Sequence, residues 1–320
     1  MLHLRLIVPT DLVTAVMEIL KRAPEVTNLW HLAGAAAKPP GDLVSCDVAK
    51  EEATRLLGEL RALGLEERGS IAAEYVDASI SRAAREAELA AVGTPADAVV
   101  WEEVEGRVME SASLSVSFLV LMTIATMIGA IGLVNDSTIL LIGAMVVGPE
   151  YGPLAGISVA LVEGRLSLAA KSLRAILVGF PLGIVAAAAL TGLLRLSGIA
   201  PQVLLPEEHS LAVVISDPNW YSVIIAVLAG AAGMLALAGA KSGVLIGVLI
   251  SVTTIPAAAN VGVAAVYGDW DNVLGGVAQL AINLTAIVVS GVVVLWVIMR
   301  ARLRRSLQGS GPHRRGQIRP

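Results

Sequence analysis

The sequence is short of most things a water-soluble enzyme uses. Its 320 residues include one cysteine, two phenylalanines and four histidines, and only 16% of them are charged. A lone Cys46 excludes an internal disulfide. His3, His31, His209 and His313 are scattered, with no Cys/His spacing that suggests a metal site. There is no Walker-type phosphate loop, no Gly-x-Ser-x-Gly and no His-Glu-x-x-His, so enzymatic activity is not expected and no cofactor is indicated. No basic stripe with interleaved aromatics supports a nucleic-acid role. Met1–Pro9 carries His3 and Arg5 inside its apolar stretch, which argues against a secretory signal.

What the chain has in excess is apolar residues, at 56%, where soluble domains hold about 45–50%. The charge that exists is placed unevenly. Of the 27 acidic residues, 19 fall in 1–110, as do 11 of the 23 basic ones. Beyond Ser111 run long Gly- and Ala-rich apolar stretches. Two solvents are therefore expected, water before the break and lipid after it. The predicted organisation is a cytosolic domain over 1–78, a helical connector over 79–110, a transmembrane domain over 111–300 and a basic cytosolic tail over 301–320.

Within 1–78 the apolar period alternates in a regular order. Leu2–Val8 reads as a strand, and Thr10-Asp11 is predicted to cap a helix running to about Arg22. Val26–Leu32 is a second strand, ended by Gly34 and the Ala-Lys-Pro-Pro-Gly turn, and Leu43–Val48 is a third. Glu51–Leu63 is predicted helical, with Leu56, Leu57, Leu60 and Leu63 on one face, and Ile71–Val76 is the fourth strand. The order β-α-β-β-α-β is that of the ferredoxin-like α+β unit. Such a head can bind a small-molecule ligand or serve assembly, and the residues leave both open. Two helical pieces flank Gly93-Thr94-Pro95. The second, Ala96–Glu110, presents Glu102, Glu103 and Glu105, read as a solvated face.

Six stretches are long enough to cross about 30 Å of hydrocarbon: Leu114–Val134, Thr138–Val162, Leu168–Leu194, Trp220–Ala240, Gly243–Tyr267 and Leu274–Met299. Basic residues set their orientation. Arg165, Lys171 and Arg174 follow the second stretch, Lys241 the fourth, and Arg300, Arg302, Arg304 and Arg305 the sixth. The opposite loops hold Asp136, Glu207, Glu208, Asp217, Asp269 and Asp271, with Arg195 the one exception. Both termini are thus expected in the cytosol, in a multi-pass protein of the cytoplasmic (inner) membrane. The arginine cluster at 300–305 suits anionic lipid headgroups.

Leu141-Ile142-Gly143 recurs as Leu245-Ile246-Gly247, an offset of 104, and Ala160, Val162 and Gly164 match Ala264, Val266 and Gly268 at the same offset. Pro153 and Pro256 are one residue out of register. Helices two and five are three spans apart and so run in opposite directions, which makes the chain an expected 3+3 inverted repeat; chance similarity between Gly/Ala/Val-rich spans is the alternative. Helix two is interrupted by Gly148-Pro149-Glu150-Tyr151-Gly152-Pro153, helix five by Thr253-Thr254-Ile255-Pro256 and then Asn260. Each proline removes a backbone N–H, and carbonyls freed in lipid must find protein, water or an ion. The stripe Gly148, Gly152, Gly156, Ala160 also fits close helix packing and a homo-oligomer. Glu150, the one acid well inside a span, is expected to face a cavity, a partner or a proton; a tilted helix would instead place it near the surface beside a base. Asn283 and Thr285 interrupt helix six as hydrogen-bonding residues or ligands.

These motifs resemble a known family. Ile142-Gly143-Ala144-Met145 with Gly148-Pro149 and Gly152-Pro153, the segment Ile255–Gly262, and Gln279–Ile287 in that order are similar to the bacterial and archaeal membrane proteins grouped as domain of unknown function 389. The resemblance covers roughly 111–300 and implies a polytopic helical fold without naming a substrate. The reading that results is a transporter or channel for a small solute or ion. Its pathway residues would be Gly148, Pro149, Glu150, Gly152, Pro153, Thr253, Thr254, Pro256, Asn260, Asn283 and Thr285. The alternative is a membrane-anchored sensor or scaffold that moves nothing.

Overall fold

The computed structural model describes residues 1–76, 79–91, 101–203, 219–239 and 253–309, with positions 211, 212, 215, 217 and 248. The chain divides into two compact units, Met1–Val104 and Glu105–Pro320.

The first unit is built on a four-stranded antiparallel sheet. Its elements are β1 (Leu2–Val8), α1 (Val13–Arg22), β2 (Val26–Ala37), β3 (Pro40–Val48), α2 (Lys50–Ala62), a single turn α3 (Leu65–Arg68), β4 (Ser70–Tyr75) and α4 (Arg82–Ala90). The strand order is β2-β3-β1-β4, with β1 paired to β3 and β4. Alternation decides which face is dry: Leu2, Leu4, Leu6 and Val8 of β1 and Val44, Cys46 and Val48 of β3 point the same way. They pack against Val16 and Leu20 of α1 and Leu56, Leu57 and Leu60 of α2, which recur at helical spacing. Cys46 is fully buried there, and burial pushes its thiol up to about 12.

Three local expectations are corrected. Helix α1 is not capped by Thr10-Asp11; Leu12 is its N-cap, without a side-chain bond, and Asp11 instead accepts twice from Arg68 at 2.8 and 2.9 Å. Strand β2 does not end before Gly34 but continues to Ala37. Register shifts between Leu32 and Ala36 absorb the left-handed Gly34, at φ +61°, so the ladder survives as an irregular hairpin. The first unit also extends past residue 78. Ala84 and Ala87 of α4 are buried, α4 packs on β2, and the Met1 ammonium lies 3.6 Å from Glu88.

Helix α5 (Trp101–Ser111) crosses the unit boundary, and the start expected for it at Ala96 lies outside the described residues. The second unit continues with α6 (Val116–Val134), α7 (Thr138–Val147), α8 (Tyr151–Glu163), α9 (Leu166–Leu196), α10 (Trp220–Ala238), α11 (Thr254–Tyr267) and α12 (Trp270–Gly309). Four of these, α6, α9, α10 and α12, are long and apolar enough to cross a membrane, and α7 with α8 makes a fifth if the bent pair is one span. The expected fifth stretch, Gly243–Tyr267, is described mainly as α11, since 241–247 and 249–252 lie outside the described residues. Arg195, the basic exception, has a structural task. Its Nη1 donates to Val266 O at 2.8 Å and its guanidinium stacks 4.8 Å from the Tyr267 ring, at the carbonyl end of α11.

Candidate functional site

The break between α7 and α8 follows from Pro149. A residue before proline is pushed out of the helical region, and Gly148 is extended, at φ −61° and ψ 127°. The two helices meet at 50°. Pro153 does not add a second break. It is the third residue of α8, and Pro256 is the third residue of α11. In a first helical turn the missing N–H has no partner to lose. Pro149 is therefore the breaker, and Pro153 and Pro256 are helix-start residues.

That break turns Glu150 inward. It is 2% exposed, and its Oε1 accepts a 2.7 Å hydrogen bond from Thr254 Oγ1 at the start of α11. Its Oε2 is buried without a partner. Gly148 makes the space, because a Cβ there would run into the Glu150 carboxylate and lie 2.7 Å from Ile255 Cγ1. Next to Thr254, Thr253 Oγ1 accepts from Asn283 Nδ2 at 2.9 Å, and Asn283 Oδ1 accepts from Gln279 Nε2 at 3.1 Å. The Gln279 Oε1 is again buried and unpartnered. Two short polar chains, from α8 and from α12, thus converge on the adjacent threonines that open α11. The partner of Glu150 is a hydroxyl, not the base that a tilted, surface-lying helix would supply.

The remaining residues go elsewhere. Asn260 is buried but donates to Ala212 O at 3.4 Å. Thr285 is exposed on the outside of α12, two positions from the buried Asn283 and so on another face. Gly152 lines no polar space: a Cβ on it would sit 2.6 Å from Ser111 O, and one on Gly156 would sit 2.8 Å from Ala112 Cβ, so the glycine stripe seats the end of α5. Glu105 is also not on a solvated face; it pairs with Arg165, which further bonds Glu163 at 3.3 Å. Gln279 opens the Gln279–Ile287 motif but is not among the expected pathway residues. Its i, i+4 spacing to Asn283 inside an apolar helix was the available signal. Tyr151, within the interrupted segment but also not among the expected pathway residues, is buried, its hydroxyl unpartnered against Gly233 of α10.

The first unit holds a second polar cluster. His3 Nδ1 lies 2.6 Å from Asp47 Oδ1, and Ser45 Oγ lies 2.9 Å from His3 Nε2. Asn28 Nδ2 donates to Asp47 Oδ2 at 2.6 Å. The Ser-His-Asp order imitates a hydrolase triad, but Ser45 is 1% exposed and 3.1 Å from Leu4 O within the sheet. No carbonyl carbon can approach that hydroxyl, and the cluster ties β2, β3 and β1 together. Among the described residues no group of three His, Cys, Asp or Glu side chains is placed to hold a metal ion.

Comparison with known proteins gives a family match over part of the chain and no activity. The chain is 26% identical over 196 residues to Uncharacterized protein MJ0678 of Methanocaldococcus jannaschii, a match that covers 61% of this chain and 58% of that relative. The match thus spans less than two thirds of the relative's length. No solved structure matches. Residues 145–289, which hold the α7–α8 break, Thr253-Thr254 and Asn283, match the model of the family described as Domain of unknown function (DUF389), the family that the motifs resemble.

Proposed function

We propose that the second unit is a six-span carrier or channel for a small solute or ion, and that it works without catalytic chemistry. The carrying observation is the buried Glu150–Thr254 contact. It joins two helix starts in the apolar interior, and its partners are 104 residues apart, the offset of the repeat. A contact between matching positions of two halves falls on the axis that relates them, where inverted-repeat carriers place their sites.

Other matched contacts support two related halves. Gly129 of α6 faces Ile255 of α11, and 104 residues on Gly233 of α10 faces Tyr151 of α8 in the exchanged sense. A Cβ on Gly183 would meet Thr126 Cγ2 at 2.8 Å, and one on Gly230 would meet Ile287 Cα at 2.7 Å. Gly164 and Gly268, at φ +71° and +73°, end α8 and α11 alike, with Arg165 N bonded to Ala160 O and Asp269 N to Ala264 O.

The first unit then reads as a ferredoxin-like cytosolic head, in keeping with its element order and its β2-β3-β1-β4 sheet. It binds a small ligand or serves assembly into a homo-oligomer in the cytoplasmic membrane, with both termini in the cytosol. The test uses the full chain in proteoliposomes on a solid-supported membrane, with concentration jumps of Na⁺, K⁺ and H⁺ as probes. A charge-displacement current is expected for one of them, and Glu150→Gln should abolish it while the protein still elutes as a folded species. An unchanged current in Glu150→Gln, or no current with any of the three ions, counts against the reading and favours a sensor or scaffold.

A further inference from the structure

The two halves of the second unit are alike in nearly all their helix packing. Exchanging α6 with α10, α8 with α11 and α9 with α12 turns the observed pair α6–α9 into α10–α12, α8–α9 into α11–α12, and α9–α11 into α8–α12, and all six are packed pairs. One exchange fails. Helix α6 lies along α11, with Gly129 so close that a Cβ there would be 3.0 Å from Ala259 Cβ. The exchanged pair, α10 with α8, is not among the closely packed pairs of the described residues. It meets through the Tyr151 ring, whose hydroxyl reaches the Gly233 backbone without any hydrogen-bond partner.

Among the described residues this is the one unmatched interface of those compared, and in two related halves such an interface is where the molecule has chosen one of two equivalent arrangements. The matched counterpart of Tyr151 is Ile255, which is small enough to let α6 and α11 close at Gly129. Tyr151 is larger, and it occupies the space that α8 would need to close on α10. An apolar helix pair held apart by one buried side chain with an unsatisfied hydroxyl sits in a state that can be relieved by movement.

We infer that this structure is one of two exchangeable states: the α6–α11 seam is shut, the α8–α10 seam is propped open by Tyr151, and in the other state the roles reverse. The inference rests on the carrier reading in that it gives its alternation between the two sides a physical form. With the basic loops in the cytosol, the shut seam closes the site from outside and the open one faces inward, since α8 and α10 both run towards Arg165 and Lys241. Glu150, at the residue before Tyr151, is carried by the same helix start and sits between the two seams.

The test is the distance between α8 and α10 in the full chain. Spin labels go on Leu161→Cys and Leu228→Cys, whose side chains point outward, at 59% and 64% exposed. Cys46 is fully buried with a thiol at about 12, so it stays unlabelled. Double electron–electron resonance in nanodiscs should show two distance populations, and Tyr151→Ile should move weight to the shorter one. A single distance in the unsubstituted Tyr151 chain overturns the inference, whether or not Tyr151→Ile then changes it. The outcome separates from the carrier reading. Two populations with no ion current leave the switch standing and remove the transport, whereas one population with a current removes the switch alone.

Discussion

The two units bury polar groups in different ways. In the first unit the His3–Asp47–Asn28–Ser45 cluster and the His31–Asp42 pair are linked by hydrogen bonds of 2.6 to 2.9 Å, and the edge of the sheet still opens to water. In the second unit Glu150 Oε2, Tyr151 OH, Gln279 Oε1, Ser172 Oγ and Thr191 Oγ1 are buried without partners. Among the described residues of the first unit the unpartnered oxygens are on Glu51, in the first turn of α2 where free backbone N–H groups are near. A buried polar group without a partner is costly, and three of the five in the second unit gather around the helix starts of α8 and α11. A polar group that costs stability at one place in a fold marks where the fold does something else with it.

The contrast can be broken at both ends. The largest effect is expected in the first unit's core. Leu4→Ala should remove about 2–5 kcal/mol from the unfolding of the sheet domain, read as a lower urea midpoint for that transition with the helical unit's transition unmoved. A loss shared by both transitions would mean the units do not unfold separately. In the second unit Gly148→Ala, which drives a Cβ into Glu150 and Ile255, should cost about 1–3 kcal/mol. Gly143→Ala, with nothing within 4 Å of its Cβ, should be neutral or slightly stabilising in the same thermal assay. Equal effects would deny that Gly148 makes room for the carboxylate.

Thr254→Val takes away the donor to Glu150 and should cost about 1–3 kcal/mol, whereas Thr285→Val on the exposed face should stay within about 0.5 kcal/mol. A Thr285 effect as large as that of Thr254 would place it in the site after all. The smallest change is confined to acid. Asp42 accepts from Gly34 N and sits beside His31, which holds its carboxyl below the usual 3.8. A lowered folded value stabilises the fold above the unfolded value and is lost as pH falls through the folded one. Asp42→Asn should therefore flatten the loss of stability below about pH 4 and leave its slope unchanged above it. An identical acid limb in both chains would remove that assignment.

Some of this was legible in the residues themselves. Strand β1 matches its expected bounds because strict alternation over Leu2–Val8 leaves one way to bury Leu2, Leu4, Leu6 and Val8. The break at Gly148-Pro149 was readable because proline chemistry is local. The extension of β2 through Gly34 was not, since its ladder bonds come from β3 rather than from its own sequence. Thr10-Asp11 looked like a cap because the pattern is local, but Arg68, 57 residues away, took the carboxylate.

By itself the sequence determined where the long apolar stretches lie, the periodicity of each element and the position of the broken helix, because each depends on residues close together in the chain. Tertiary structure alone decided that Glu150 meets Thr254, that Asn283 and Gln279 reach the neighbouring Thr253 while Thr285 faces outward and Asn260 bonds Ala212 O, and that α6 packs along α11. Those outcomes depend on which helices lie side by side, and an apolar span with the same composition on every face does not specify its neighbours.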